Sequence, residues 1–380
     1  MKNVLKTMKQ PSELNTLRIP FRDLSVKDPV LKKELLESVD QVLSHGRLLL
    51  GPEVEQFENA IAKLCRKKYA VGMNSGTDAL YLALRALDIG PGDEVITTPL
   101  SWIATVNAIV LTGATPIFVD IGEDLNINAD LVEAAITTRT KAILPVHFTG
   151  KLCNIEKIKD IALKHGIALV EDAAQAFGAT RNKAPAGSFG TIACFSMNPM
   201  KVLSAYGEAG VAVTDDEALY KKLVSLRYAG TINKEDCHYP SLNGRLDTLQ
   251  AAMMLVNLKY LNAIIKRQRE IAKQYTQELD NLLTCPTDDG EDHVYYSYTV
   301  ITDKRDELKE YLSLNNVETK IQHPILMPYH TAYKNKFKCH IPVAERLIKQ
   351  ILCIPNATHL SSQDVDCVIT VIRNFFGIEP

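Results

Sequence analysis

Within this chain of 380 residues, one lysine stands in a setting unlike the rest. Lys201 lies in Ala193-Cys194-Phe195-Ser196-Met197-Asn198-Pro199-Met200-Lys201-Val202-Leu203, and no other charge occurs between Thr191 and Leu203. A lone lysine ordinarily reads as a solvated surface group. An ammonium withdrawn from water loses its charge more readily and becomes nucleophilic, so the apolar context predicts an amine able to attack a carbonyl carbon.

Two other segments carry groups that would serve such an amine. The apolar run Ile167-Ala168-Leu169-Val170 ends in Glu171-Asp172-Ala173-Ala174-Gln175. This puts acids at the carboxyl edge of a parallel sheet, where open α/β folds bind ligands. Asp172, flanked by apolar and small residues, needs a cationic or hydrogen-bonding partner; the alternative is an acid that caps the next helix. In Met73-Asn74-Ser75-Gly76-Thr77-Asp78-Ala79-Leu80, a small, hydroxyl-rich loop leads into an amphipathic helix. Free N–H groups at a helix start bind anions, although serine or threonine there also serves as a plain N-cap. Ser196, five residues before Lys201, is a candidate for the same anion.

The elements that must position these groups follow from the apolar periodicity. Helices are predicted over Pro29–Leu43, Pro52–Leu64, Thr77–Leu87, Ala104–Leu111 and Ile155–Lys164. Strands are predicted at Glu94–Thr97, Pro116–Val119, Ala142–Val146 and Ala168–Glu171. This alternation is the signature of an α/β domain around a mostly parallel sheet. From Arg245 to Leu282 the pattern becomes one long helix or two, expected to bridge two domains. A strand at Tyr295–Ile301 and helices at Asp306–Leu314, Val343–Ile351 and Ser362–Phe375 then suggest a smaller α/β unit. The expected organisation is an arm at 1–20, a large domain at 21–250, and a linking helix with a small C-terminal domain at 251–380.

Composition bounds the function. A net charge of −2 lacks the electrostatic footprint of a nucleic-acid or anionic-membrane protein. The eight cysteines, with no CxxC pair, read as reduced core thiols. Met1–Pro20 lacks the apolar stretch of a secretory signal and no later segment is long enough to span a bilayer, so a cytoplasmic protein is expected. His323 and His330 have no companion ligands at metal-binding spacing, so no metal site is expected.

From Ile19 onward the sequence resembles the DegT/StrS family of fold-type I aminotransferases. The resemblance rests on LLLGPEVEQFE, NSGTDALYLALRAL, PGDEVITTPLSWIATVNAI, PIFVDI, ILPVHFTG, EDAAQAFGA, FSMNPMK, GEAG, LNGRLDTLQAA and LSSQDVDCVITVI, in that order. It implies pyridoxal 5'-phosphate as cofactor, held by Lys201 as a Schiff base. Gly76, Thr77 and Ser196 would bind its phosphate, Trp102 would stack on its ring, Asp172 would pair with the ring nitrogen and Gln175 would lie against the 3-hydroxyl. Asn243, in LNGRLD, would reach the phosphate of the neighbouring subunit, which implies a homodimer with shared sites. Without the resemblance, Trp102, the only tryptophan, reads as a core aromatic. The implied reaction takes nitrogen from an amino acid, commonly glutamate, and delivers it to a keto-sugar linked to a nucleotide, with the freed Lys201 amine carrying the proton.

Three departures from the family pattern bear on the acceptor. Tyr296 stands where a histidine is common, His323 and Pro328 where a tyrosine and a histidine are common, and Phe177 where many members are polar. All are expected to line the site or its mouth. His147 is open to a supporting role or simple packing, and Arg245 to a substrate anion or an interfacial carboxylate. The changed segments also permit a smaller phosphorylated or cyclic ketone as acceptor. A related sugar-dehydrating branch carries histidine in place of Lys201, and a non-catalytic regulatory protein would have little use for the full set.

Overall fold

In the computed structural model, which describes residues 19–287, 290 and 292–378, a seven-stranded sheet carries the chemistry-bearing segments. Its strands are β1 (Tyr69–Met73), β2 (Glu94–Thr97), β3 (Thr115–Phe118), β4 (Thr140–Leu144), β5 (Ala168–Asp172), β6 (Ile192–Ser196) and β7 (Gly210–Thr214). Their spatial order is β1-β7-β6-β5-β4-β2-β3. Pairing is parallel from β6 across to β3, and only β7 runs against its neighbours β6 and β1. Every residue of β2 and β7 is buried, as expected where helices cover both faces of a sheet.

Helices flank the sheet: α1 (Pro29–His45), α2 (Pro52–Leu64), α3 (Gly76–Ala86), α4 (Ala104–Leu111), α5 (Ile155–His165) and α6 (Glu217–Arg227). Their ends are written in local chemistry. Asp28 caps α1 through the N–H groups of Val30 and Leu31, with Pro29 opening the helix and Gly46 closing it in the left-handed conformation. Asn154 and Gly166 bracket α5 in the same way.

Arg245–Leu282 resolves into one helix, α7 (Thr248–Leu279), of 32 residues. Its residues Ala251, Met254, Leu261 and Ile265 pack into the core of the sheet. Its last turns give Ile271, Ala272, Tyr275 and Leu279 to a separate core with β8 (Tyr298–Ile301), α8 (Arg305–Leu314), β9 (Ile351–Ile354) and α10 (Ser362–Phe375). Between β8 and β9 the short α9 spans Pro342–Leu347.

Some expectations need correction. The helix expected over Val343–Ile351 stops at Leu347, and Ile351–Ile354 instead pairs antiparallel with Tyr298–Ile301, because a buried two-strand ladder satisfies both backbones. Strand β8 begins at Tyr298 rather than Tyr295, whose φ of +51° takes it out of extended pairing. Of the expected arm, residues 1–18 lie outside the described residues. Ile19 is already fully buried in the second core, bonded to Asn316 and Glu318. The cysteines are all free, but Cys237 is exposed and Cys339 and Cys367 are half-buried, so the core reading holds only for the other five.

Candidate active site

Sheet register gathers the three chemical segments at one edge. Asp172 is the last residue of β5 and lies opposite Cys194 of β6, two residues before Ser196. Gly210 of β7 pairs with Ser196 on one side and Met73 on the other, which carries the Asn74–Thr77 loop up to Ser196. The approach is close. A Cβ on Gly76 would lie 2.5 Å from Ser196 Cβ, and one on Gly210 would lie 2.2 Å from the Ser75 carbonyl oxygen. Ser75 caps α3 by accepting from the Asp78 N–H. The open N-terminus of α3 therefore lies beside Ser196, an arrangement suited to a phosphate.

These residues open onto a cavity of about 580 Å³. Gly76, Thr77, Trp102, Asp172, Gln175, Ser196 and Lys201 all line it. Asn243 does not: it is exposed and accepts from the Arg245 Nε over 2.8 Å. Arg245 also lies outside the cavity, its guanidinium 4.6 Å from the Tyr228 ring centroid.

Asp172 is buried and accepts from the Thr105 hydroxyl over 2.8 Å and from the Ala174 N–H over 3.2 Å. Burial pushes its carboxyl above the ordinary range, against the opposing pull of Thr105, Ala174 and the charge of Lys201. A carboxyl so placed gains by meeting a cation. That is the test a protonated ring nitrogen passes, so these residues fit pyridoxal phosphate.

Lys201 sits in a turn. Its N–H donates to the Asn198 carbonyl over 2.8 Å, and Ala205 N–H closes the loop on Met197 over 2.7 Å. Its Nζ stands 4.4 Å from the Tyr296 ring centroid. Gln175 is fixed by the Thr149 N–H, which donates to its Oε1 over 2.9 Å. Trp102 is 60% exposed at the mouth, 5.6 Å from the His323 ring between centroids, and so is not a core aromatic. Burial, then the charges of Lys201, Lys320 and His330, push the His323 imidazole down to about 3.

The departures separate. Tyr296 and His323 line the cavity, whereas Phe177 packs edge-on against Phe195 in the core and Pro328 is buried away from the cavity. Phe177 therefore does not bear on the acceptor. His147 is a packing and hydrogen-bonding residue. It is fully buried, its Nδ1 accepts from the Cys153 N–H and its Nε2 lies 3.1 Å from Glu171. Glu171 in turn accepts from Gly187, Phe189 and Gly190. Sequence reasoning missed Thr105 and Arg22, which also line the cavity; neither lies in a spacing pattern that sets it apart. Among the described residues no three His, Cys, Asp or Glu side chains gather as a metal site, and no helix is long and apolar enough to cross a membrane.

Residues 29–373 match the family model described as the DegT/DnrJ/EryC1/StrS aminotransferase family. The chain belongs to that family. It is an aminotransferase, and the family depends on pyridoxal 5'-phosphate. Two relatives show the range. The chain is 37% identical over 369 residues to a pleiotropic regulatory protein of Geobacillus stearothermophilus, covering 95% of this chain and 99% of that one. It is 38% identical over 373 residues to the dTDP-3-amino-3,4,6-trideoxy-alpha-D-glucose transaminase of Streptomyces venezuelae, covering 96% and 98%. Among solved structures, NtdA of Bacillus subtilis with bound cofactor PMP superposes with a TM-score of 0.89 at 30% identity, over 97% of this chain and 86% of that one.

Proposed function

We propose that this DegT/DnrJ/EryC1/StrS aminotransferase moves an amino group from an amino acid, L-glutamate, to a nucleotide-linked 3- or 4-keto-6-deoxysugar destined for a surface glycan. The observation that carries the reading is the convergence of Lys201, Asp172, Gln175, Ser196 and the Gly76–Thr77 helix start on one cavity. The sugar class rests on the Streptomyces relative's substrate and on a cavity with room beyond the cofactor residues, lined at its mouth by Trp102, His323 and Lys320.

In this reading Lys201 is the covalent anchor. Gly76, Thr77 and Ser196 would hold the cofactor phosphate, Trp102 would stack on its ring, Asp172 would keep the ring nitrogen protonated and Gln175 would meet the 3-hydroxyl. When bound, the cofactor would supply an electron sink for the charge left at the donor's α-carbon. Asp172 would sustain that sink from beside the ring nitrogen, and Thr105 holds Asp172. The Lys201 amine would take the proton from the donor's α-carbon.

A homodimer completes the picture. Asn243 lies outside its own cavity, and Leu48, Leu49, Leu242 and Trp102 are exposed. Large exposed apolar side chains suit a subunit interface, with Asn243 reaching the neighbour's phosphate site. The reading divides the chain into a large domain at 21–250 and a linking helix with a small C-terminal domain at 251–380, and it carries a cytoplasmic location with it.

A screen of nucleotide-linked keto-sugars against the aminated enzyme tests the acceptor. Return of the carbonyl form of the cofactor with at least one of them is expected, and failure with all of them, alongside success with small phosphorylated or cyclic ketones, overturns the sugar assignment. The Geobacillus relative's description favours a second role, regulation carried by this same aminotransferase.

A further inference from the structure

We propose that Arg22 and Tyr296 form a clamp that positions the free amine of Lys201 during the part of the cycle in which it is not bound to the cofactor. The inference rests on the function proposed above and concerns residues to which that reading gives no role.

The clamp is built from three separate stretches of chain. The Arg22 guanidinium donates to the carbonyl of Met200, the residue immediately before Lys201. Its other amino group donates to the Tyr296 carbonyl over 3.1 Å, and its Cζ lies 5.6 Å from the Tyr296 ring centroid. One side chain therefore ties the backbone beside the nucleophile to the backbone of the residue whose ring faces Lys201 Nζ. Arg22 is itself held from behind. Ile19 is bonded to Asn316 and Glu318, and Phe21 N–H donates to the Glu318 carboxylate over 2.8 Å.

The chemistry gives the clamp a purpose. A lysine side chain has four rotatable bonds, and fixing them costs up to about 2 kcal/mol of rotamer entropy. An amine released from its covalent bond can swing away from the α-carbon whose proton it must take, and misplacement by an ångström lowers the rate steeply. The face of an aromatic ring attracts an ammonium, so Lys201 gains a defined resting place whenever its amine is protonated, as it is once it has taken the proton. Tyr296 supplies that face, and Arg22 fixes the distance between ring and amine through both backbones. Among the described residues no acid forms an ion pair with Arg22, so its hydrogen bonds go to these two carbonyls alone. An arginine so committed acts on geometry rather than on charge balance.

The test uses the full chain with four substitutions: Tyr296→Leu, Tyr296→Phe, Arg22→Gln and Arg22→Lys. In the cofactor-free protein, acylation of Lys201 by acetic anhydride is measured by peptide mass spectrometry against exposed Lys32. Removing the ring uncovers the amine, so Y296L is expected to raise the Lys201:Lys32 ratio roughly 3- to 30-fold, with R22Q moving it the same way by less. Y296F and R22K should lie between wild type and the truncations. In the loaded enzyme Y296L and R22Q are expected to lower kcat about 10-fold while KM for the donor changes less than about 2-fold, the mark of a group acting after binding. An unchanged acylation ratio, a loss carried in KM, or Y296F as impaired as Y296L would each overturn the clamp. The two conservative variants keep the test decisive if a truncation fails to fold. Loss of turnover in Lys201→Ala with no effect in Y296L refutes the clamp and leaves the proposed function standing. Full turnover in Lys201→Ala refutes the function, and the acylation ratio still judges the clamp.

Discussion

Thr105, in the first turn of α4, donates its hydroxyl proton to Oδ2 of Asp172 at the end of β5, joining two elements separated by 67 positions in the chain. Ser101 lies 3.1 Å from the same hydroxyl, so the carboxylate is supported by a short chain of hydroxyl groups. This bond helps hold the ionised form of a carboxyl that burial pushes the other way. In the proposed function Asp172 would face the ring nitrogen, so Asp172→Asn is expected to lower turnover by about 10²-fold or more. Thr105→Val removes a bond to the ionised form, so the Asp172 carboxyl rises further and the acidic limb of the activity profile moves to higher pH. Steady-state rates across pH 5 to 9, a window of roughly four units around neutrality, check both, and an unmoved acidic limb in T105V contradicts the assignment.

Gly76 allows the start of α3 to lie against Ser196, and a Cβ there meets Ser196 Cβ at 2.5 Å. Gly76→Ala must therefore push the two segments apart. The expected cost is about 1–3 kcal/mol in urea unfolding, the usual range for forced overpacking. Cofactor retention during dialysis should fall with it, because the same two segments are the proposed anion cradle. A variant as stable and as retentive as wild type would contradict the close approach.

His323 gives a pH signature in stability. Its imidazole is pushed from the ordinary value of 6.5 down to about 3 in the folded chain. Between these values the unfolded chain holds the proton and the folded chain does not, so stability is complete above pH 6.5 and declines as pH falls toward 3. His323→Gln removes this term. The melting temperature of the variant should drop less than that of wild type between pH 7 and pH 5, and an equal drop would contradict the half-buried, neutral imidazole.

Asn243 tests whether sites are shared between subunits. Asn243→Ala and Lys201→Ala should each be impaired alone. In a refolded 1:1 mixture, half the dimers pair one of each and carry one intact site of two, so roughly a quarter of wild-type activity returns. Activity no higher than the mean of the two parents would show that each chain completes its own site.

How much of this was legible in the sequence depends on how local each feature is. Asp172 and Lys201 were readable because both sit in apolar stretches that leave a charged group conspicuous. Helix α2 and strand β2 fall at their expected limits because Pro52 opens the helix and the apolar pattern of each lies within the element itself. Arg22 was not readable, since its bonds reach Met200 and Tyr296, 178 and 274 positions away, and nothing in Phe21-Arg22-Asp23 signals them. Thr105 lay hidden for the same reason. The strand at Ile351–Ile354 was missed, its first residue taken as a helix end, because a short apolar run after a helix fits either period until its partner strand is known. Trp102 needed the cavity mouth to show that it is exposed.

In the proposed function Lys201 carries the cofactor covalently and performs the chemistry. Borohydride reduction of the cofactor-loaded protein followed by peptide mass spectrometry tests this most directly. One pyridoxyl group per chain is expected, on the peptide containing Lys201, with adduct and turnover both lost in Lys201→Ala. A label on another lysine, or full turnover in Lys201→Ala, would contradict it.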